Sequence, residues 1–377
     1  LSIRDKGGTK PSAVISFDKL RYLLNYCSMR FVILLLLFFV GLHNLLHSQE
    51  VLDKGIFIKV DDAQRSVSIF FDGKYFTSYI YPESLEKPVL YPLTTAYGTV
   101  VTRGFPLQPR SGERIDHPHQ VGWWLNYGDV NGLDFWNNSY AIPDSLRTKF
   151  GSIRHSRVVS TENGHDKGTL TVRCQWIDHE NRVLLEEETS FEFSGDTLRR
   201  RIIRSTTLTA INGDVKFGDN KEGLCALRVD RAFETPSDKP EQFTDASGKP
   251  TAVPVLNNEG VNGVYRNSEE DVKEAVWGKR AKWVSLSAHK AGEDISICLF
   301  DFRGNPGYPS YWHARGYGLF SVNNLARMAY NNTEPENITL LKQGNSITFK
   351  HMLLIKTGGF ITTGEISAEA EEFNNSL

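Results

Sequence analysis

Cysteine is scarce in this 377-residue chain, which has four. The three beyond residue 48, Cys174, Cys225 and Cys298, are odd in number and widely spaced, which excludes a disulfide framework or a zinc knuckle as the organising device. Two of them alternate with apolar residues in strand-like patterns, so buried free thiols are expected, with at most one disulfide. An excess of charge of one sign is lacking too, with 43 Lys and Arg against 45 Asp and Glu. No basic cluster or aromatic-interleaved basic stripe stands out, which argues against nucleic acid and against a membrane surface as partner. No apolar run after Ser48 approaches the roughly 20 residues of a spanning helix. Phosphate loops, dinucleotide fingerprints and nucleophile elbows are missing, which leaves nucleotide cofactors without a binding motif. Repeats of 20–50 residues are missing as well, which argues against a propeller or solenoid.

What is present begins with a leader. Met29-Arg30 precedes an apolar run over residues 31–42, followed by Ser48-Gln49. That is the pattern of a cleavable secretory signal peptide over residues 29–48, and it implies a secreted or periplasmic product. Residues 1–28 read as upstream read-through, and the folded part is expected to be a single domain over residues 49–377.

Period-two alternation dominates that part. Residues 66–71 and 75–81 flank Asp72-Gly73-Lys74, the signature of a hairpin, because Asp-Gly supplies the positive φ angles of a tight turn. Strands are expected over 169–177, 183–193, 198–209, 283–288, 295–302, 319–322 and 347–355. Several are apolar on both faces and hence central. Helical signal is confined to the tail from residue 363 to about 374, with 269–276 as a second candidate. The expected fold is an all-β, large antiparallel sandwich with few short helices. The proline-bearing stretch 236–262 is a long irregular excursion, of a length that usually carries function.

Four segments carry chemistry. In Asp116-His117-Pro118-His119-Gln120, Pro118 biases His117 toward an extended backbone, where residues two apart point the same way. His117 and His119 would then converge, either for acid–base work or as two ligands of a divalent metal. Trp123, Trp124 and Asn126 follow closely. The turn Gly128-Asp129-Val130-Asn131-Gly132-Leu133-Asp134 reads as scaffold, since Asp and Asn beside Gly are ordinary turn chemistry. Gly218-Asp219-Asn220-Lys221-Glu222-Gly223 places two acids around a lysine, which drives carboxyl pKa values apart. The aromatic, glycine-rich run 307–318 contains Trp312, His313 and Arg315. Its rings suit stacking on sugar faces, and its His and Arg suit hydroxyls or carboxylates. His351, alternating with Phe349 and Leu353, reads as a core histidine.

These segments, with Val101-Thr102-Arg103-Gly104-Phe105-Pro106 and in this order, resemble the PmoA-like family of exported bacterial proteins, labelled "methane oxygenase PmoA", over about residues 55–358. Where the family pattern carries a third histidine and an arginine after Asp-His-Pro-His, this chain has Gln120 and Val121. The resemblance implies a supersandwich of the galactose-mutarotase type and a role in sugar metabolism. Three functions are weighed on these residues. The first is a carbohydrate-processing enzyme, cleaving glycosidic bonds or epimerising sugars. In it His119 and His313 exchange protons, Asp219 or Glu222 is the base, and Arg103, His117, Trp123, Trp124, Asn126, Lys221, Trp312 and Arg315 bind substrate. The second is a non-catalytic glycan-binding module. The third is a metal-dependent oxygenase using His117 and His119. The first needs no cofactor and has a carbohydrate or glycoside as its partner.

Overall fold

The computed structural model describes residues 54–375. The segments read as read-through and leader, 1–28 and 29–48, lie outside the described residues.

The strands, in chain order, are β1 (Ile56–Asp61), β2 (Ser66–Phe71), β3 (Lys74–Ile80), β4 (Val89–Leu90), β5 (Trp123–Tyr127) and β6 (Ser152–Glu162). There follow β7 (Lys167–Ile177), β8 (Val183–Gly195), β9 (Arg199–Ala210), β10 (Val215–Phe217), β11 (Gly223–Arg228) and β12 (Val264–Asn267). The last six are β13 (Trp283–Lys290), β14 (Glu293–Asp301), β15 (Tyr311–Arg315), β16 (Leu319–Asn323), β17 (Thr339–Leu341) and β18 (Ser346–Lys356). One helix, α1 (Thr363–Asn375), closes the described chain. Two eight-stranded antiparallel sheets result, ordered β1-β2-β3-β4-β5-β11-β16-β15 and β12-β13-β14-β18-β9-β8-β7-β6, with a small β10-β17 pair beside them. The fold is therefore the expected all-β sandwich.

Alternation explains the layers. In β7, Leu170, Val172, Cys174 and Trp176 are buried on one face, and they join a core shared with Trp123, Leu125, Phe320 and Val322 of the other sheet. The hairpin forms as expected, with Asp72 and Gly73 both at positive φ (48° and 70°). Strands β14 and β18 are buried on both faces because α1 packs Ile366 and Phe373 over Phe300, Met352 and Leu354. Cys174, Cys225 and Cys298 are free and buried, and burial pushes the Cys225 thiol up to about 12. His351 is fully buried on β18, its Nε2 2.9 Å from Asn324 Oδ1.

The core also encloses an ion pair. Glu187 and Arg204, on paired strands, meet at 3.0 Å with both side chains almost fully buried. Trp176 and Thr189 donate to the same carboxylate (2.8 and 2.7 Å), which supplies the extra hydrogen bonds that a desolvated pair requires.

One local expectation is corrected, and another holds. Residues 269–276 give only a short 3-10 turn, Lys273–Val276, because Glu270 and Lys273 both take positive φ (66° and 55°), which an α-helix does not admit. The stretch 236–262 forms isolated bridges, Glu241 to Val255 and Thr244 to Pro250, and braces the segment before Asp116 through the Arg114–Phe243 bridge.

Candidate functional site

Four neighbouring strands of the first sheet, β5, β11, β16 and β15, turn alternate residues away from the sandwich core. Their register sets Trp124 opposite Ala226, Ala226 opposite Ser321, and Ser321 opposite His313. Arg228, Leu319 and Arg315 form the adjacent row. This face carries Trp124, Asn126, Arg228, His313 and Arg315 together. The same alternation sends Trp123 and Trp312 into the main core, and Trp312 gives its indole N–H to the Ala281 carbonyl (2.9 Å). Neither tryptophan is available to stack on a ligand, contrary to the sequence expectation. Trp124 and Asn126 do face the site but are fully buried. Trp124 donates to Asn126 Oδ1 (2.9 Å), and Asn126 Nδ2 donates to the Phe135 carbonyl (2.7 Å), so both brace the site instead of touching a substrate.

The Asp116–His119 loop lies over this face, held by two buried arginines. Arg103 donates to the carbonyls of Arg114, Asp116, His117 and Gln120 and to Asp116 Oδ1. Arg228 donates to Asp116 Oδ1 (2.6 Å) and Gln120 Oε1 (2.5 Å). Arg103, expected to bind substrate, is a buried strut whose two Nη groups are spent on the loop. Burial raises the Asp116 pKa, but Arg228, the hydrogen bond with His117 and Arg103 outweigh it and hold the carboxyl well below the usual carboxylate range.

The loop does not take the extended form that Pro118 suggests. His117 sits at φ +45°, a left-handed conformation costly for a residue with a Cβ, and Gln120 N–H closes a turn on the His117 carbonyl (3.0 Å). The arginine cradle on Asp116, His117 and Gln120 overrides the local preference. The imidazoles still converge, edge to face with centroids 5.6 Å apart. His117 Nδ1 lies 2.8 Å from Asp116 Oδ2. A carboxylate there fixes the Nδ1–H tautomer and leaves Nε2 as an acceptor. The ring stacks on Tyr317 (4.9 Å, 15°), and its side chain is 40% exposed. His119 is the opposite case. It is buried, its Nε2 has no hydrogen-bond partner, and burial, then Lys87, push its pKa well down. Among the described residues, no group of three or more His, Cys, Asp or Glu is arranged to hold a metal ion.

Glu222 enters from the loop before β11. Gly128 is required there, because a Cβ on it would lie 2.9 Å from the Glu222 Cβ. Burial raises the Glu222 pKa; Lys221, His117 and Arg315 lower it and Asp134 raises it further, for a net rise. His313 Nδ1 stands 3.6 Å from Glu222 Oε2 and 3.3 Å from the Lys221 carbonyl. Arg315 Nε donates to His313 Nε2 (3.1 Å). The proton of His313 therefore sits on Nδ1, and burial, then Arg315, drive its pKa down to about 3. These surroundings disfavour the charged form that the expected proton donor would take. Asp219 is diverted as well. Its two oxygens accept from the backbone N–H groups of Arg327, Met328, Ala329 and Asn337 (2.8–3.1 Å), which makes it the tie of the 327–337 loop.

Several residues at the site escaped the sequence. Lys87 lies over the Trp124 ring (5.2 Å) and donates to the His119 carbonyl (2.6 Å). Burial lowers its pKa to about 7. Nothing in its surroundings in sequence, between Glu86 and Pro88, marks it. Asp134, read as turn scaffold, accepts from Trp136 N, Asn137 N and Asn137 Nδ2. It is that scaffold, and it also acts electrostatically on Lys87 and Glu222. Arg315 packs on Trp277 (5.0 Å), which is 36% exposed, and Tyr311 and Tyr330 stack beside it (5.1 Å, 15°). These rings, with Tyr317, replace Trp123 and Trp312 as the aromatic wall.

The sequence matches, over residues 66–371, the model of a family described as "Family of unknown function (DUF6807)". The methane-oxygenase label attached to the resemblance finds no support in that match. No curated protein matches. Among solved structures, the galactosidase domain of alpha-galactosidase-sucrose kinase AgaSK is 10% identical with a TM-score of 0.36, over 80% of this chain and 42% of that one. The alpha-galactosidase AgaB of Geobacillus stearothermophilus is 10% identical (TM-score 0.35), over 80% and 41%. A galactose mutarotase-like protein from Lactobacillus casei is 10% identical (TM-score 0.28), over 80% and 100%. The chain thus spans about two fifths of the galactosidases it matches, and the likeness at this identity is one of fold.

Proposed function

The chain belongs to the DUF6807 family, and from its site we propose that it is a carbohydrate-processing enzyme that exchanges protons on a sugar ring, with His117 and Glu222 as the acid–base pair. The observation that carries this reading is the contrast between the histidines. His117 has a charged carboxylate behind Nδ1 and an open Nε2, whereas His119 and His313 are buried in surroundings that disfavour their charged forms. A positioned imidazole backed by a carboxylate is suited to shuttle protons.

In the simplest chemistry this supports, His117 Nε2 withdraws the proton of the anomeric hydroxyl with Asp116 behind its Nδ1, while Glu222, whose protonated form burial favours, protonates the ring oxygen. The bond between the anomeric carbon and the ring oxygen breaks, the open aldehyde rotates, and the reverse transfers close the other anomer. Atoms and protons balance without a cofactor. Arg315 and Lys221, whose charges act on Glu222, would bind hydroxyls, and Trp277 and Tyr317 would line the sugar face.

The test is anomer interconversion, followed by polarimetry or NMR for a panel of aldoses, with wild type, Glu222→Gln and His117→Gln. Acceleration over buffer that falls by about 10²–10⁴ in each variant is expected for loss of one acid–base partner. If no aldose is accelerated, or both variants match wild type, the reading is wrong.

A further inference from the structure

Among the described residues, one cavity borders this site and another lies apart from it. The cavity of about 330 Å³ beside the stacked Tyr81 and His155 rings is lined by Arg65 and Arg154. Each already has a carboxylate, Glu83 and Glu86 respectively, both at 2.6 Å. Its third cation, Lys87, belongs to the site already described and holds the His119 carbonyl.

The second cavity, of about 470 Å³, is lined by Lys74 and Tyr75 of β3, by the 92–100 loop including Tyr97, and by Arg200 of β9. Arg200 is 6% exposed. Its guanidinium lies over the Phe71 ring (4.4 Å), and Nη1 donates to the carbonyls of Asp196 and Arg199 (2.5 and 2.9 Å). Among the described residues, its Nε and Nη2 have no partner, and neither Arg200 nor Lys74 has a carboxylate within ion-pair distance. Asp196 and Asp72 act on Arg200 only from beyond ion-pair distance, and a guanidinium with two free donors matches a carboxylate in geometry. Above it stand two tyrosine rings, Tyr97 at 61% exposure and Tyr75 at 37%. Flat amphipathic rings of this kind take the face of a sugar, and the volume is that of an ordinary small-ligand pocket.

We propose that this cavity is a second ligand site that binds an acidic saccharide, its carboxylate on Arg200 and Lys74 and its ring against Tyr75 and Tyr97. It shares no residue with the His117–Glu222 site and does not depend on the activity assigned there. The buried guanidinium supplies the charge recognition, and the exposed tyrosines supply the contact area.

The experiment is calorimetric titration of the full protein with D-galacturonate and D-glucuronate, each against its uncharged methyl ester. Binding of at least one acid, weakened about tenfold or more in its ester, is expected. Tyr97→Ala and Lys74→Gln, both at exposed positions that leave the core untouched, should each weaken it about fivefold. Equal affinity for acid and ester overturns the proposal, as do unchanged binding in both cavity variants and failure of both acids to bind.

Discussion

His313 Nδ1 faces Glu222 Oε2 at 3.6 Å while its Nε2 accepts from Arg315, so the imidazole is wedged between a carboxylate and a cation, and on the proposed function it would aim the carboxylate. His313→Gln should lower kcat about tenfold, well short of the loss in Glu222→Gln, because it removes orientation and not the proton carrier. The pH–rate profile should keep its limbs, since a group with a pKa near 3 does not titrate in the working range. A displaced limb in that variant would show that His313 itself carries the proton.

Acid should unfold this protein through its buried imidazoles. Burial holds His351 down to about 3 against 6.5 in the open chain. Between those values the unfolded state binds the proton and the folded state does not, so stability falls as pH drops below 6.5. One pKa unit corresponds to about 1.4 kcal/mol, so His351 accounts for about 2 kcal/mol between pH 6.5 and 5. Urea denaturation at these two pH values, in wild type and His351→Gln, measures it. A slope with pH that the variant fails to reduce would refute the assignment.

Asp116→Asn should be among the most damaging single changes. It leaves Arg103 and Arg228, 1% and 0% exposed, without their shared counter-charge, and breaking a buried pair in this way costs about 3–5 kcal/mol. Chemical denaturation with a loss below 1 kcal/mol would show that the backbone carbonyls and Gln120 alone satisfy the two guanidinium groups.

Asp219→Asn separates loop-tying from catalysis. One amide cannot accept four backbone N–H groups as a carboxylate does, so hydrogen exchange at Arg327, Met328, Ala329 and Asn337 should accelerate. Stability should fall by about 1–3 kcal/mol, with the pH dependence of turnover intact. Protection unchanged at those amides, with activity abolished, would return Asp219 to the chemistry.

The layers were legible because alternation survives in β2, β7, β8, β9 and β12. The Asp72-Gly73 turn, the β7 face and the helix at the tail follow from local pattern alone. The site was half legible. His117 and Glu222 stand in recognisable clusters, but whether a neighbour faces the ligand or the core is settled by the strand phase and by what covers it. That is why Trp123 and Trp312 misled and Trp277 and Lys87 passed unnoticed. Similarly, Pro118 gave a sound local preference for His117 that two arginines, one of them from a strand more than a hundred residues away, overrule.

The order of the strands has a consequence in time. The β6-β7-β8-β9 meander pairs consecutive segments, whereas the face bearing the site needs β5 to find β11 and β11 to find β16, about a hundred residues apart at each step. Pairings of such long sequence separation form slowly. During refolding, most of the circular dichroism of the second sheet should return before any capacity to bind or turn over a sugar. A chain released from the ribosome before residue 319 would lack β16, and with it the strand that joins β11 to the β15 residues His313 and Arg315.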